Sequence, residues 1–162
     1  MGREVGTDNA TVTVEAARTE DVAEIIEVLS AAFAPFAGQF APTALRQTPD
    51  SVAGELSRWL VARRDSQVLG CVMHYAEDGC YTLCFLATRP EVRDRGLGSA
   101  LVDATIRAAR AVGCRQVRIA LRRSLHRNVS FFSKRGFRYF APFTTDAHDL
   151  YQLDLRAQPW RQ

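Results

Sequence analysis

From Thr11 to Ala16, Val12, Val14 and Ala16 alternate with Thr11, Thr13 and Glu15, the period of a half-buried strand. Past Thr19, a candidate N-cap followed by Glu20 and Asp21, apolar residues recur at Val22, Ile25, Ile26, Leu29 and Phe33, which predicts an amphipathic helix. Residues 34–50 hold Pro35, Pro42, Pro49 and Gly38 among Phe36 and Phe40, and read as a loop carrying aromatics. A second helix is expected from Ser51 to Trp59, entered after Pro49-Asp50 and weakened by Gly54.

Three strand-like runs follow, Trp59 to Arg63, Gln67 to Ala76 and Gly79 to Thr88, and they predict an antiparallel meander. Asp78-Gly79 favours a tight primed turn, and closing the hairpin there sets Tyr75 opposite Thr82 and Met73 opposite Cys84. Leu97, Ala100, Leu101, Ala104, Ala108 and Val112 then keep helical spacing until Gly113 stops the helix. Val117, Ile119 and Leu121 alternate as a strand, a short helix runs from Arg127 to Arg135, and Phe137 to Thr145 and Leu150 to Leu155 read as closing strands. The order is therefore strand, two helices, three strands, helix, strand, helix, two strands, without an internal repeat.

The length of 162 residues and the 47% hydrophobic content suit one core, read here as a single domain over 11–158 between a flexible stretch at 1–10 and a tail at 159–162. No apolar run approaches the roughly 20 residues that cross a bilayer, and residues 1–10 hold no signal-like apolar segment, so a soluble cytoplasmic protein with no membrane partner is expected. Cys71, Cys80, Cys84 and Cys114 lack metal-ligand spacing and read as small buried hydrophobes, without disulfides or a metal. The net charge of +3 is mild, yet Arg115, Arg118, Arg122, Arg123 and Arg127 cluster. No nucleic-acid motif accompanies them, so they read as a solvated face or a site for ligand phosphates.

The chemistry concentrates in Leu86-Ala87-Thr88-Arg89-Pro90-Glu91-Val92-Arg93-Asp94-Arg95-Gly96-Leu97-Gly98-Ser99, a strand end that turns at a proline and enters a helix through two glycines. Glycine lets a backbone approach a phosphate closely, and the first-turn N–H groups of a helix have no internal acceptor, so the segment outlines an anion cradle. No lysine follows the second glycine and no third glycine is present, which excludes the phosphate loop of nucleoside triphosphatases and the dinucleotide fingerprint.

Here the chain resembles the GNAT superfamily of N-acetyltransferases, whose Arg/Gln-x-x-Gly-x-Gly/Ala signature is matched by Arg93, Gly96 and Gly98. Residues 86–91 resemble the strand end before that signature, and Phe131-Phe132-Ser133-Lys134-Arg135-Gly136-Phe137 resembles the family's late helix-to-strand segment. The resemblance is strong over about 79–140 and implies an α/β fold: a mixed, largely antiparallel sheet of six to seven strands, about four helices, and a splay between the fourth and fifth strands. It implies acetyl-CoA as co-substrate, its pantetheine arm bonded by the Leu86 and Thr88 backbone, with Ala87 between them. Arg93, Asp94, Arg95, Gly96, Leu97, Gly98 and Ser99 would cradle the diphosphate. The implied activity is acetyl transfer to a primary amine of a small molecule or peptide, by direct attack in a ternary complex, with an oxyanion held by a backbone N–H near Leu86 and no metal.

The chain departs from the family where acid and base are expected. Phe132 stands where many relatives have a tyrosine, and Thr82 where some carry a glutamate. Tyr75, beside Thr82 by the hairpin register, is the replacement candidate against a packing role. His74 falls on the opposite face, and Asp146 and His148 lie in the polar break between the last two strands. Asn128 is placed to cap the short helix or to contact the pantetheine arm. Phe33, Phe36 and Phe40 are candidate acceptor-pocket walls or core. The missing acid and base also suit a non-catalytic acyl-CoA-binding or sensor module, and the sequence is silent on a homodimer through the last strand.

Overall fold

The structure, a computed structural model, describes residues 11–143, 145 and 147–156. The segments expected to be flexible at 1–10 and a tail at 159–162, and Asp146, lie outside the described residues. Seven strands form one sheet: β1 (Thr13–Ala16), β2 (Trp59–Arg64), β3 (Gln67–Glu77), β4 (Cys80–Thr88), β5 (Gln116–Arg122), β6 (Arg138–Pro142) and β7 (His148–Asp154). Their spatial order is β1-β2-β3-β4-β5-β7-β6, and the helices are α1 (Val22–Phe33), α2 (Pro49–Gly54), α3 (Leu97–Ala111) and α4 (His126–Lys134). The expected mixed sheet and element order are present. The last strand inserts beside β5, however, and leaves β6 at the edge.

Internal contacts divide the chain into two units. The first comprises residues up to 71 together with 87–101. In it β1 pairs antiparallel with β2, from Thr13 opposite Arg63 to Ala16 opposite Leu60. α1 buries Ile25, Val28, Leu29 and Ala32, one helical stripe, and Trp59, Val61, Val68 and Leu69 are buried in the same unit. Each large apolar side chain so buried contributes about 1.5–3 kcal/mol.

Several local expectations are corrected in this unit. Thr19 does not cap α1. It begins a 3₁₀ turn, Thr19–Asp21, whose cap is Arg18, and the Asp21 carboxylate accepts the Arg18 backbone N–H at 2.8 Å. The second helix spans only Pro49–Gly54, with Thr48 Oγ1 accepting the Ser51 N–H at 3.1 Å, and a separate 3₁₀ turn, Leu56–Arg58, leads into β2. Gly54 and the exposed stretch around it end the helix early. The expected loop at 34–50 contains two 3₁₀ turns, Ala34–Phe36 and Thr43–Arg46, and Phe36 stacks on Phe40 at 5.8 Å.

The second unit comprises 72–86 and the described residues from 102 onward. β4 pairs parallel with β5 at Tyr81–Val117 and Thr82–Arg118, and β5 pairs antiparallel with β7 over its full length. A bulge interrupts β6–β7 between Tyr139 and Ala141. Tyr81, Leu83, Val117, Ile119, Leu121 and Leu153 are buried on one face, while Thr82, Arg118, Ala120, Arg122 and Gln152 on the other are partly open. Leu125, not Asn128, is the N-cap of α4; Asn128 sits exposed inside the first turn, so the capping reading is wrong. His148 opens β7 instead of lying in the break before it. All four cysteines are free, but only Cys71 is fully buried.

Candidate active site

The end of β4 is anchored before the chain turns away. The Arg89 N–H donates to the Leu69 carbonyl at 2.9 Å, its Nε donates to the Val68 carbonyl at 2.8 Å, and its guanidinium lies 3.2 Å from Glu27 and 3.7 Å from Glu24. Glu24 in turn accepts the Val68 N–H at 2.9 Å. Gly70 permits this approach: a Cβ there would meet the Ala87 carbonyl oxygen at 3.0 Å and Leu101 Cδ1 at 3.1 Å. Neither Arg89 nor Gly70 was singled out by the sequence pattern, because both act through partners distant along the chain.

Beyond Arg89, Pro90–Val92 forms a 3₁₀ turn with Val92 buried beneath it. Asp94 and Gly96 both take left-handed backbone conformations, φ 63° and 81°. The Gly96 carbonyl accepts the Ala100 N–H at 3.0 Å, so Gly96 caps α3, and the N–H groups of Leu97 and Gly98 precede the first carbonyl the helix can offer them. Gly98 is the second residue of α3 and takes no left-handed conformation. Leu97 is buried, whereas Arg93, Asp94 and Arg95 are exposed around the turn. This is a concave run of donors with cationic side chains beside it, competent to bind an anion.

In the second unit, the β4–β5 ladder opens early. Its pairs end at Thr82–Arg118, although β4 runs on to Thr88 and β5 to Arg122. Phe85, at the opening, has φ 53°, a sparsely populated conformation for an aromatic residue that costs of order 1–3 kcal/mol and re-aims the adjoining Leu86 N–H. The sequence held no sign of it. Asp78 and Gly79 have φ 49° and 77°, the signature of a type I′ turn between Glu77 and Cys80. Counting outward from that turn sets Tyr75 across from Thr82, on the partly open face.

On the buried face, His74 Nδ1 and the Tyr81 hydroxyl lie 2.5 Å apart, with their rings tilted at 5.5 Å. Burial holds the His74 imidazole below its ordinary value, and burial, with a smaller effect from Cys114, raises the Tyr81 phenol. Both groups are therefore neutral at pH 7 and share one hydrogen bond. Phe132 is 2% exposed and packs edge-on against Phe137, a core position with no access to a reacting group. Two arginines of the cluster are held by partners: Arg118 Nε donates to Gln152 at 2.8 Å with its guanidinium over Phe140, and Arg123 lies 3.6 Å from Asp149.

A surface hollow in the first unit, lined by residues including Glu15, Asp21, Glu24 and Arg63, contains no residue of the cradle. Its Asp21 carboxylate bonds Arg63 at 2.7 Å and the Arg18 N–H, so this hollow is an ion-paired joint between β1, β2 and the turn into α1. Among the described residues, no group of three or more His, Cys, Asp and Glu side chains is placed to hold a metal, and no helix is long and apolar enough to cross a membrane.

A glycine-capped helix after a strand whose parallel partner diverges is the arrangement of the GNAT fold. Residues 22–137 match the profile of the acetyltransferase (GNAT) family, and the chain belongs to that family. An amino-acid acetyltransferase of Aeromonas salmonicida is 26% identical over 95 residues, 57% of this chain and 21% of that protein, so the chain spans about a fifth of this relative's length. The fold is shared with the PaiA N-acetyltransferase of Thermoplasma acidophilum solved with coenzyme A, at a TM-score of 0.79 and 18% identity over 89% of this chain and 99% of that one. It is also shared with the ribosomal-protein-S18-alanine N-acetyltransferase of Escherichia coli, at a TM-score of 0.70 and 18% identity over 90% and 94% of the two chains.

Proposed function

We propose that this chain transfers the acetyl group of acetyl-CoA to a primary amine of a small molecule, peptide or protein, within a ternary complex. The observation that supports this best is the early end of the β4–β5 ladder at Thr82–Arg118. Strands that diverge there can receive an extended, amide-bearing arm as a pseudo-strand. The residues present fit acetyl-CoA: the backbone of Leu86, Ala87 and Thr88 for the arm, and Arg93, Asp94, Arg95, Gly96, Leu97, Gly98 and Ser99 for the diphosphate. Asn128, exposed in the first turn of α4, is the further candidate for the arm. When bound, acetyl-CoA supplies an acetyl group activated as a thioester.

Around that group the chain's own residues do the remaining work. The Tyr75 hydroxyl is the side chain suited to giving a proton to the departing sulfur. Thr82, across from it in the hairpin register, is the second polar side chain on that face. The amino-acid and alanine acetyltransferase relatives support an amine acceptor through the activities their names state. A cytoplasmic setting accords with the four free thiols. Pairing of two copies belongs to the same proposal.

Calorimetric titration of acetyl-CoA, with ATP as comparison, tests the cofactor assignment, and release of CoA thiol across a panel of amines and peptide N-termini tests transfer. Micromolar binding with thiol release is the expected result. Gly98→Glu should abolish binding by setting a carboxylate against the diphosphate. The burial of Phe132, at the family's tyrosine position, favours one second reading, a non-catalytic acyl-CoA sensor. Tight binding without thiol release from any amine would decide for it.

A further inference from the structure

The chain has three histidines, and the sheet register separates them. His74 is bonded to Tyr81 on the buried face, and His126 is exposed at the start of α4. His148 is different. Thr82 pairs with Arg118, Arg118 with Gln152 and Arg122 with His148. Side chains of directly paired residues share a face, and so do those two apart on one strand. Thr82, Arg118, Arg122, Gln152 and His148 therefore line the same, partly open face. Arg122 ends β5 four residues beyond Arg118, on the side to which the ladder opens, so His148 stands at that open end of the shared face.

The imidazole is also held in place. Its Nδ1 lies 2.6 Å from Thr145 Oγ1, and its ring meets Phe143 edge-on at 6.3 Å. In the tautomer whose Nδ1–H donates to the threonine oxygen, Nε2 keeps its lone pair. Arg122 faces it from β5, Arg123 follows just beyond that strand, and Asp149 adjoins it on β7. Burial first, then the two arginines, lower its proton affinity against the smaller opposing effect of Asp149.

From this geometry we propose that His148 is the general base that deprotonates the amine acceptor, an inference that rests on the acetyl-transfer reading. The amine proton passes to Nε2, directly or through one water, as the nitrogen bonds the acetyl carbon. The carbon–sulfur bond breaks with its electron pair on sulfur, which takes a proton from Tyr75. The imidazolium returns a proton to the phenolate through solvent, so no other reactant is consumed.

The test compares the parent protein with His148→Asn, which keeps an amide donor for Thr145. Acetyl-CoA affinity is measured by calorimetry. Initial rates are measured against pH with glutamate, spermidine and an alanyl peptide as acceptors, using the one the parent turns over best. The expected result is unchanged acetyl-CoA affinity, kcat/KM lower by about 10²–10⁴ at neutral pH, and loss of the acid limb of the pH–rate profile. Imidazole resonances of the parent, assigned with the variant, should show His148 titrating below 6.5. Turnover within about threefold of the parent, with the acid limb retained, would overturn the assignment of the base alone. Absence of acetyl-CoA binding by the parent would instead remove the acetyl-transfer reading, and the inference with it.

Discussion

The ring of Phe132 meets that of Phe137 edge-on, with centroids 5.2 Å apart at 80°, and both side chains are buried. A hydroxyl at position 132 would lie among apolar neighbours. Restoring the family's tyrosine by Phe132→Tyr is therefore expected to cost about 1–3 kcal/mol from burial of a polar group, without raising the rate of acetyl transfer. Urea unfolding and kcat on the same preparation check both halves. A stable variant with higher kcat would show that the position reaches the reacting atoms after all.

Gly96 combines a φ of 81° with open space, since nothing lies within 4 Å of where its Cβ would be. Gly96→Ala therefore meets no clash, and its cost is the left-handed conformation itself, about 1–2 kcal/mol for an L-residue. Part of that strain is expected to be relieved by turning the loop before α3, which redirects the first-turn donors. The measurable outcome is weaker acetyl-CoA binding with little change in far-ultraviolet circular dichroism. Unchanged affinity would mean that the cradle does not need this backbone geometry.

The elements legible in the sequence were those with strong local patterns. The stripe of α1, the spacing of α3 and the Asp78-Gly79 turn each follow from neighbouring residues, as does the cradle. The position of β7 beside β5 follows from pairing between residues far apart along the chain, such as Gln116 and Asp154, and no local period encodes it. His148 was assigned to a break because His148, Leu150 and Gln152 mix polar and apolar types on a face that is only partly covered. The cap of the turn into α1 was misplaced for a related reason: Thr19 has the right chemistry, but the Asp21 carboxylate bonds both Arg63 and the Arg18 N–H. Arg89, Gly70 and the strained Phe85 carry no local signal.

Gly70 tests how tightly the site is braced from behind. A Cβ there would press on the Ala87 carbonyl at 3.0 Å, which is backbone and cannot swing aside. Gly70→Val is expected to destabilise the protein by about 1–3 kcal/mol through overpacking. It should also weaken acetyl-CoA binding, because Ala87 and Leu101 belong to the strand end and helix on either side of the cradle. Thermal unfolding and calorimetry on the variant give the two numbers. A loss of stability without any change in affinity would show that the cradle is insulated from this contact.

His74 makes the stability of the fold depend on pH in a definite direction. Burial lowers its proton affinity in the folded state, while in the unfolded chain it titrates near its ordinary 6.5. Below that pH the unfolded chain binds the proton before the folded one does, so protonation favours unfolding. Stability is fully present above about pH 7 and declines as pH falls through 6.5, levelling only below the folded value. His148 adds to the same slope. Urea unfolding between pH 5 and 8 should therefore show a falling midpoint on the acid side, and His74→Gln should flatten part of it. Tyr81→Phe is expected to lower stability by about 0.5–1.5 kcal/mol at every pH through loss of the hydrogen bond while leaving that slope, because desolvation and not the phenol sets the His74 shift. A slope that vanished in Tyr81→Phe would reverse this assignment.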